Sequence, residues 1–554
     1  ISGDQVMAGQ SFPALVVGTL VETYLLQRTI FTEETFRAIC LGALGVNLAL
    51  LGMWNVVVWP FFLNPLRHLP TIPGLMSNLT ILFDSPRGRT PLHWMKTVPN
   101  DGLIHMRDLI SHSYLVATNH QALLDIMSTN TYDFEKPRRM RIFLARILGF
   151  GMILSEGAAH KKQRKALTPA FNIKNIRSMY SLMWDKTNQM LEEMEKEIKL
   201  NPMEGTDPAE EIGKVEMGVW GSRFTLDIIG PAAMGRDFRS LQNSDNRVAE
   251  SFLNILEPTP EKVAFLAMNF MLPQSIAQRI PWKMNDLITS ETNFLRDLCN
   301  DIVHEKRQIL TESKASAQDL EADILGTMIL GGDFSDNELV DQMLTFLAAG
   351  HETTAAALTW ACYLLTLYPD VQERLRAEIR EQIPSASSPV TYSDLESLPL
   401  LNGVCQEVLR LYPTVPATIR EAIRDTVVAG KHVPKGTRII LCPYAINRCP
   451  LFWGENGEEF LPERWIDTDK NGNLVPNNNG GASTNFAQIT FLHGQRSCIG
   501  KDFARAELRC GVAGLVGRFA FEMQDPKQEI HIAGAVTTKP VEGMHLKMQR
   551  VSGW

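Results

Sequence analysis

The 554-residue sequence has little cysteine and no excess of positive charge. Its eight cysteines, at 40, 299, 362, 405, 442, 449, 498 and 510, include no CxxC pair. That argues against zinc ribbons and thioredoxin-like redox centres, and it is too sparse for a secreted disulfide scaffold. Lys and Arg number 54 against 62 Asp and Glu, a net charge of -8. The chain therefore lacks the basic excess of a nucleic-acid binder, and no nucleic-acid partner is expected. There is no evident repeat, no long low-complexity segment, and no GxGxxG fingerprint in a strand–helix setting. The first residue is Ile rather than Met, which reads as a truncated or processed start. What is present is a globular balance of 45% hydrophobic and 21% charged residues, in a chain long enough to bury a large core without staples.

Charge is missing altogether from the 29 residues between Arg37 and Arg67. Within them, Ile39 to Trp59 reads ICLGALGVNLALLGMWNVVVW, which meets the roughly 20 residues needed to cross hydrocarbon. Trp54 and Trp59 lie near one end, where indole rings favour the interface. Pro60 and Pro65 are expected to stop the helix. The reading is a transmembrane anchor over 39–63 and a stiff Pro-rich hinge over 64–74 that contains PLRHLPTIPG. A buried core helix is the competing reading of the apolar run, and a cleaved signal peptide fits poorly because the run exceeds an h-region. Residues 1–38 form an N-terminal segment whose own apolar stretch, Phe12 to Leu26, is interrupted by Glu22, which leaves a second membrane-associated stretch open. Arg28 and Arg37 before the span and Arg67 after it do not settle its orientation.

Residues 75–554 read as one mainly helical domain with small β-sheets. Helical patterns cover 177–200, 287–313, 336–367, 369–382 and 501–519, and strand-like pieces fall at 426–428, 438–442 and 530–533. The 470–485 stretch reads as a polar surface loop. Residues 491–500, FLHGQRSCIG, place Gly494 and Gly500 on either side of Cys498, just ahead of a helical run. The helix dipole and nearby amides would favour a thiolate there, the form that ligates heme iron. Upstream, Ser335 and Glu338 form a capping-box pattern that opens a long apolar helix, interrupted by AAGHETT at 348–354. There Gly350 would let a flat ligand approach, Thr353 could bond back to the Ala349 carbonyl, and Glu352 is an ionisable group in an apolar helix. Glu407 and Arg410 of EVLR share a helix face, and PERW carries Arg464.

FLHGQRSCIG closely resembles the heme-binding signature of cytochrome P450. The chain order AGHETT, EVLR, PERW, FLHGQRSCIG is also that family's order, and the resemblance runs from about residue 75 to the end. The amino-terminal anchor resembles that of microsomal members, in a chain of fungal style. The resemblance implies the cytochrome P450 fold as a single catalytic domain and heme b as cofactor. It implies Cys498 as the axial ligand of the heme iron, with Phe491 packing beside the heme and Gly494 and Gly500 shaping the loop. Arg496, Arg420 (in VPATIRE) and Arg164 (in AHKKQRKALTPAF) correspond to the arginines that meet heme propionates. His160 stands where the family usually has Trp. Ala349 and Gly350 would border the oxygen groove, while Glu352 and Thr353 would order water and deliver protons. Glu407, Arg410 and Arg464 correspond to a structural triad that locks the loop presenting the cysteine. Phe346, Val415 and Ala417 stand as candidate pocket-lining residues, and 120–150 as a candidate substrate lid.

The expected activity is that of a membrane-anchored heme-thiolate monooxygenase. It would insert one atom of dioxygen into a lipophilic substrate by hydroxylation or epoxidation, in secondary metabolism or fatty-acid oxidation. No reductase domain fits in the chain, so NADPH would act indirectly, through a membrane-bound NADPH–cytochrome P450 reductase and, as a second donor, cytochrome b5. Lys161, Lys162 and Lys165 could form a basic patch that steers an acidic partner. The expected location is the endoplasmic reticulum membrane, with the catalytic domain facing the cytosol. Two other readings stay open at this point. One is a heme-thiolate isomerase or dehydratase, whose members often lack the acid–threonine pair. The other is a non-catalytic heme- or lipid-binding membrane protein.

Overall fold

The structure, a computed structural model, describes residues 3–30, 35–73, 81, 84–107, 113–203, 211–257, 259–272, 274–312, 323–534 and 536–554. Its contacts divide the chain into two compact units.

The smaller unit comprises Ile1–Asp84, Thr90–Glu135 and Ala417–Cys442. Helices α1 (Gly3–Thr29) and α2 (Phe36–Met53) pack together as a hairpin. The Thr35 side chain caps α2 by accepting from the Ala38 N–H. Beyond Met53 the helix does not stop as expected but widens into a π-helical run, Trp54–Leu63, that passes through Pro60. The wider turn changes which carbonyls need a donor, so a ring without an N–H can sit inside it. The continuous run Phe36–Leu63 has 28 residues and is long and apolar enough to cross a membrane.

The expected hinge at 64–74 is no free spacer; its last residue lies outside the described ones. Leu66, Leu69 and Ile72 are buried. The Ile72 N–H donates to the His105 carbonyl at 3.0 Å, and the His105 N–H donates to the Pro70 carbonyl at 2.8 Å. Prolines leave few donors, and those that remain are used to seat the segment on a strand. That strand, Leu103–Arg107, begins a five-stranded sheet that continues through Ser113–Ala117, Arg438–Leu441, Thr418–Ala422 and Phe134–Glu135. Residues 120–150 are not a loop. They form helix His120–Leu124, a wide π-helical turn (Asp125–Thr129), a tight 3-10 turn (Thr131–Asp133), the edge strand and α3 (Arg138–Leu148). Asn119 caps the first helix, accepting from the Ala122 N–H at 2.9 Å, and polar caps of this kind are easily misread as loop composition.

The larger unit comprises Ser85–Arg89, Lys136–Pro416 and Pro443–Trp554. Besides α3 its principal helices are α4 (Gly157–Leu167), α5 (Tyr180–Leu200), α6 (Met217–Ile229), α7 (Lys283–Glu312), α8 (Asp336–Leu367), α9 (Pro369–Gln382), α10 (Pro399–Leu411) and α11 (Lys501–Arg518). The five helical patterns read from the sequence correspond to α5, α7, α8, α9 and α11. Helix α8 is the axis of the unit: it packs against α6, α7, α10 and α11 and buries Trp360 completely. Its start is fixed by a full Ser335–Glu338 capping box. A three-stranded sheet, Phe519–Met523, His545–Arg550 and Ile212–Glu216, and a small hairpin, Ile532–Ala533 with Lys539–Pro540, complete the unit. The polar 470–485 stretch holds one strand, Leu474–Pro476, paired with Ile466–Thr468 around a turn in which Asp469 accepts from the Asn471 and Asn473 N–H groups.

Candidate active site

Cys498 is presented by a closed loop. Its N–H donates to the Phe491 carbonyl at 2.9 Å, and the Ser497 N–H donates to Gly494 at 3.1 Å. The reversal needs left-handed backbone at Leu492 (φ 53) and Gly494 (φ 70), the latter a conformation that glycine adopts without strain. Gly500 is the N-cap of α11 and has no capping side chain, so the first-turn amides of α11 are left facing the sulfur side. The Gly500 N–H bonds the Cys498 thiol. Cys498 is exposed to open space, yet it is surrounded by protein; burial pushes its thiol up, while the Gly500 amide and the Arg164 guanidinium pull it down. Cys299, Cys362 and Cys405 are buried thiols that burial pushes up to about 12.

A chain of hydrogen bonds anchors this loop. The Glu407 carboxylate receives the Arg410 Nε at 2.8 Å and Nη2 at 2.7 Å, the Arg464 Nε at 2.9 Å, the Trp465 indole at 2.8 Å and the Leu461 N–H at 3.0 Å. Glu407 and Arg410 are fully buried. The other side of Arg410 donates to the carbonyls of Asn447, Gly457 and Glu459. Asn447 then donates to Thr490 Oγ1 at 2.8 Å and accepts from the Ile489 N–H at 2.9 Å. The triad thus reaches the residue just before Phe491, which closes on Cys498. Trp465, the last residue of PERW, and Asn447, which lies in neither motif, belong to this network and were not singled out from the sequence.

On α8, Ala349 and Thr353 lie one turn apart and are half-buried, whereas Leu344 to Leu347, Glu352 and Thr354 to Ala361 are buried. The helix therefore opens along one short face. The Thr353 hydroxyl donates to the Ala349 carbonyl at 2.7 Å, the back-bond expected from the sequence. Gly350 plays a different part from the one expected: a Cβ there would meet Ile229 of α6 at 2.9 Å, so the missing side chain lets two helices approach. His351 bonds Ser222 of α6 at 2.7 Å, and burial pushes its imidazole down to about 4. Glu352 is buried and held by two residues that the sequence does not point to. Lys539 Nζ lies 2.5 Å from its carboxylate, and the Thr537 hydroxyl donates to it at 2.9 Å. Beside Thr354, the Glu507 carboxyl of α11 is fully buried and held well above the usual carboxylate range, chiefly by that burial.

The arginines divide. Arg496 is buried and paired with Glu156 at 2.6 Å, so its guanidinium already holds one carboxylate. Glu156 also accepts the Lys136 N–H at 2.9 Å. His160 is buried beside them, and its imidazole is pushed down to about 4 by burial and by Arg496, Lys136 and Arg164, with Glu156 opposing. It is neutral at pH 7 and has one N–H to give. Arg164 grips the cysteine loop itself, donating to the Ser497 carbonyl at 2.5 Å and to its hydroxyl at 3.4 Å. Arg420 lies in the smaller unit, buried on its strand, with Nη1 donating to Thr418 Oγ1 at 2.9 Å and to the Ile419 carbonyl at 3.0 Å. Ala417 also belongs to that unit. In the larger one Val415 is half-buried, and Phe346 is buried edge-on to Phe171 at 5.4 Å.

Among the described residues no group of three His, Cys, Asp or Glu side chains could hold a metal ion. The open space at the sulfur, the amides behind it and the carboxylate-holding Arg496 fit an iron porphyrin with acidic side arms.

A family model described as Cytochrome P450 matches residues 92–546. Among characterised proteins, the chain is 37% identical over 513 residues to "Cytochrome P450 monooxygenase sphH" of Aspergillus fumigatus, covering 91% of each. It is 34% identical to "Cytochrome P450 monooxygenase ALT8" of Alternaria alternata, covering 91% of this chain and 92% of the relative. It is also 34% identical to "Cytochrome P450 monooxygenase FUM15" of Gibberella moniliformis, covering 90% and 91%.

Proposed function

The chain belongs to the cytochrome P450 family and is a heme-thiolate monooxygenase that uses heme b and draws on NADPH through a redox partner; from that premise we propose how its own residues divide the work. Bound heme supplies the activation of dioxygen and the insertion of one oxygen atom into a C–H bond or across a C=C bond. Cys498 would hold the heme iron through its sulfur. Arg164, through Ser497, and the Glu407–Arg410–Asn447 chain hold its loop in place. Arg496 and His160 would hold the propionates, with Glu156 as the carboxylate that keeps Arg496 ordered.

Proton supply falls to α8. Thr353, fixed by its bond to Ala349, presents a hydroxyl oxygen to water in the open stretch of the helix. Glu352 is the proton store, and Lys539 and Thr537 position it. This intact acid–threonine pair favours the oxygenase over the isomerase reading. Phe346 and Val415 exclude water and line part of the seat of a lipophilic substrate. The fungal relatives favour a substrate from secondary metabolism.

The run Phe36–Leu63 anchors the enzyme in the endoplasmic reticulum membrane, with the catalytic body in the cytosol. Electrons come from NADPH–cytochrome P450 reductase, with cytochrome b5 as an auxiliary donor, steered by the exposed Lys161, Lys162 and Lys165 of α4.

The observation that carries this reading is the closed loop from Phe491 to Cys498 with the Gly500 amide on the sulfur. The reduced carbon monoxide complex of the purified holoenzyme tests it. A thiolate-type absorption is expected, and Cys498→His should abolish it; an unchanged spectrum would refute the assignment.

A further inference from the structure

The hairpin of α1 and α2 is inside out by the standards of a water-soluble helix pair. Its seam carries polar groups: Thr19 and Thr23 are buried at 3% and 0% exposure, beside the buried Ile39 and Ala43. Across the seam, Asn47 of α2 donates to Glu22 Oε2 at 2.8 Å and to Thr19 Oγ1 at 3.1 Å. Its outer face is aliphatic. Val17, Val21 and Leu25 on α1, and Leu41, Val46 and Leu50 on α2, are each more than half exposed. Water would favour the reverse arrangement, because it solvates a carboxylate and an amide and expels aliphatic surface. Hydrocarbon favours this one, because polar groups there find partners only in one another.

Length agrees, and the interior of α1 carries little charge. Helix α1 has 27 residues, about 40 Å at ~1.5 Å per residue, against a hydrocarbon core of about 30 Å. Between Asp4 and Arg28 its one formal charge is Glu22, the group that Asn47 takes up. Arg28 and Arg37 stand at the turn between the helices, and Arg67 stands beyond the far end of the α2 run.

We propose that α1 is a second membrane-spanning helix, joined to α2 by the Glu22–Asn47–Thr19 contact. The chain then enters the bilayer as a hairpin, and the residues ahead of Gly3 lie on the same side as the catalytic body. The occupant of the aliphatic face is lipid. The proposal rests on the membrane anchor read above for Phe36–Leu63 and adds what that anchor alone would not give, the side on which the amino terminus lies.

Glycosylation mapping of the full chain in microsomes tests it. Acceptor sites are placed ahead of Gly3, between Thr29 and Thr35, and after Trp554, each in a polar insert long enough to clear the bilayer. Only the middle site should be modified, and the protein should stay in the membrane pellet at alkaline pH. Modification of both the first and middle sites would mean a single span; it would overturn the hairpin and leave the anchor standing. No modification, with release by alkaline carbonate, would overturn the anchor as well. In the same assay Asn47→Leu should expose the first site in a quarter or more of the chains, and Asn47→Gln should restore the original pattern. An unchanged pattern in Asn47→Leu would overturn the role given to the Asn47 contact.

Discussion

Two carboxylates of this protein, one fully buried and one half-buried, have very different company. Glu407, at the centre of the larger unit, receives five donated hydrogen bonds, from Arg410, Arg464, Trp465 and a main-chain amide. Glu22, in the N-terminal hairpin, receives one amide from Asn47. The difference follows from what each must hold. Glu407 gathers guanidinium groups that in turn bind backbone carbonyls from Asn447 to Glu459, so it fixes a stretch whose only regular element is the short helix Pro450–Trp453. Glu22 needs only to avoid the aliphatic outer face of its helix. The same residue type is thus a keystone in one region and a seam contact in the other. In the catalytic unit the charge network sits inside an apolar core; in the hairpin the polar groups sit inside and the apolar ones face out.

The largest effect that would separate the two is expected at Glu407. Glu407→Ala leaves Arg410 and Arg464 without their carboxylate in a buried site, a loss of about 3–5 kcal/mol. Thermal unfolding and retained heme absorbance should both fall sharply. Glu22→Leu should leave both unchanged, and a comparable loss there would erase the contrast. Next in size is a charge on the hairpin's outer face. Val46→Arg should cost about 2.5–3.5 kcal/mol of insertion energy and move a measurable fraction of protein out of the membrane pellet. An exposed side chain of the larger unit changed to Arg should have no such effect.

Within the larger unit, Lys539→Met should lower the coupling of NADPH consumption to product by about tenfold, less than the roughly 10²–10⁴-fold of a group that itself transfers the proton, because Lys539 only positions Glu352. Lys539→Arg should recover most of it, and full coupling in Lys539→Met would remove Lys539 from the proton supply. The smallest effect concerns acid. His160 and His351 are neutral in the folded unit because burial holds both near 4, below their ordinary value. The unfolded chain binds more protons between that value and about 6.5, so stability is full above that range and falls as pH drops through it. His160→Gln should flatten the slope of thermal stability in that window; an unchanged slope would show that His160 does not carry it.

Several features were legible because their signal is contiguous. The Cys498 loop, the Ser335–Glu338 cap and the Thr353 back-bond each lie within ten residues of chain, where spacing alone sets which groups can meet. The long helices were legible from their period. The failures share another cause. Pro60 was read from its missing N–H, but the helix around it widened. Gly350 was read as room for a ligand, but the room is taken by Ile229. Lys539 and Thr537 come from a hairpin far along the chain, and Thr537 alone is separated from Glu352 by 185 positions. Glu156 gave no signal as the partner of Arg496.

The sequence by itself determined the cysteine loop, the order of the motifs and the apolar run that becomes the Phe36–Leu63 helix, because each is a local matter of residue type and spacing. Which cation meets Glu352, which carboxylate meets Arg496 and which way the hairpin turns its polar side were decided only by the tertiary structure. A charge or an amide takes its partner from whatever the fold places within about 3 Å, and that distance has no fixed relation to separation along the chain.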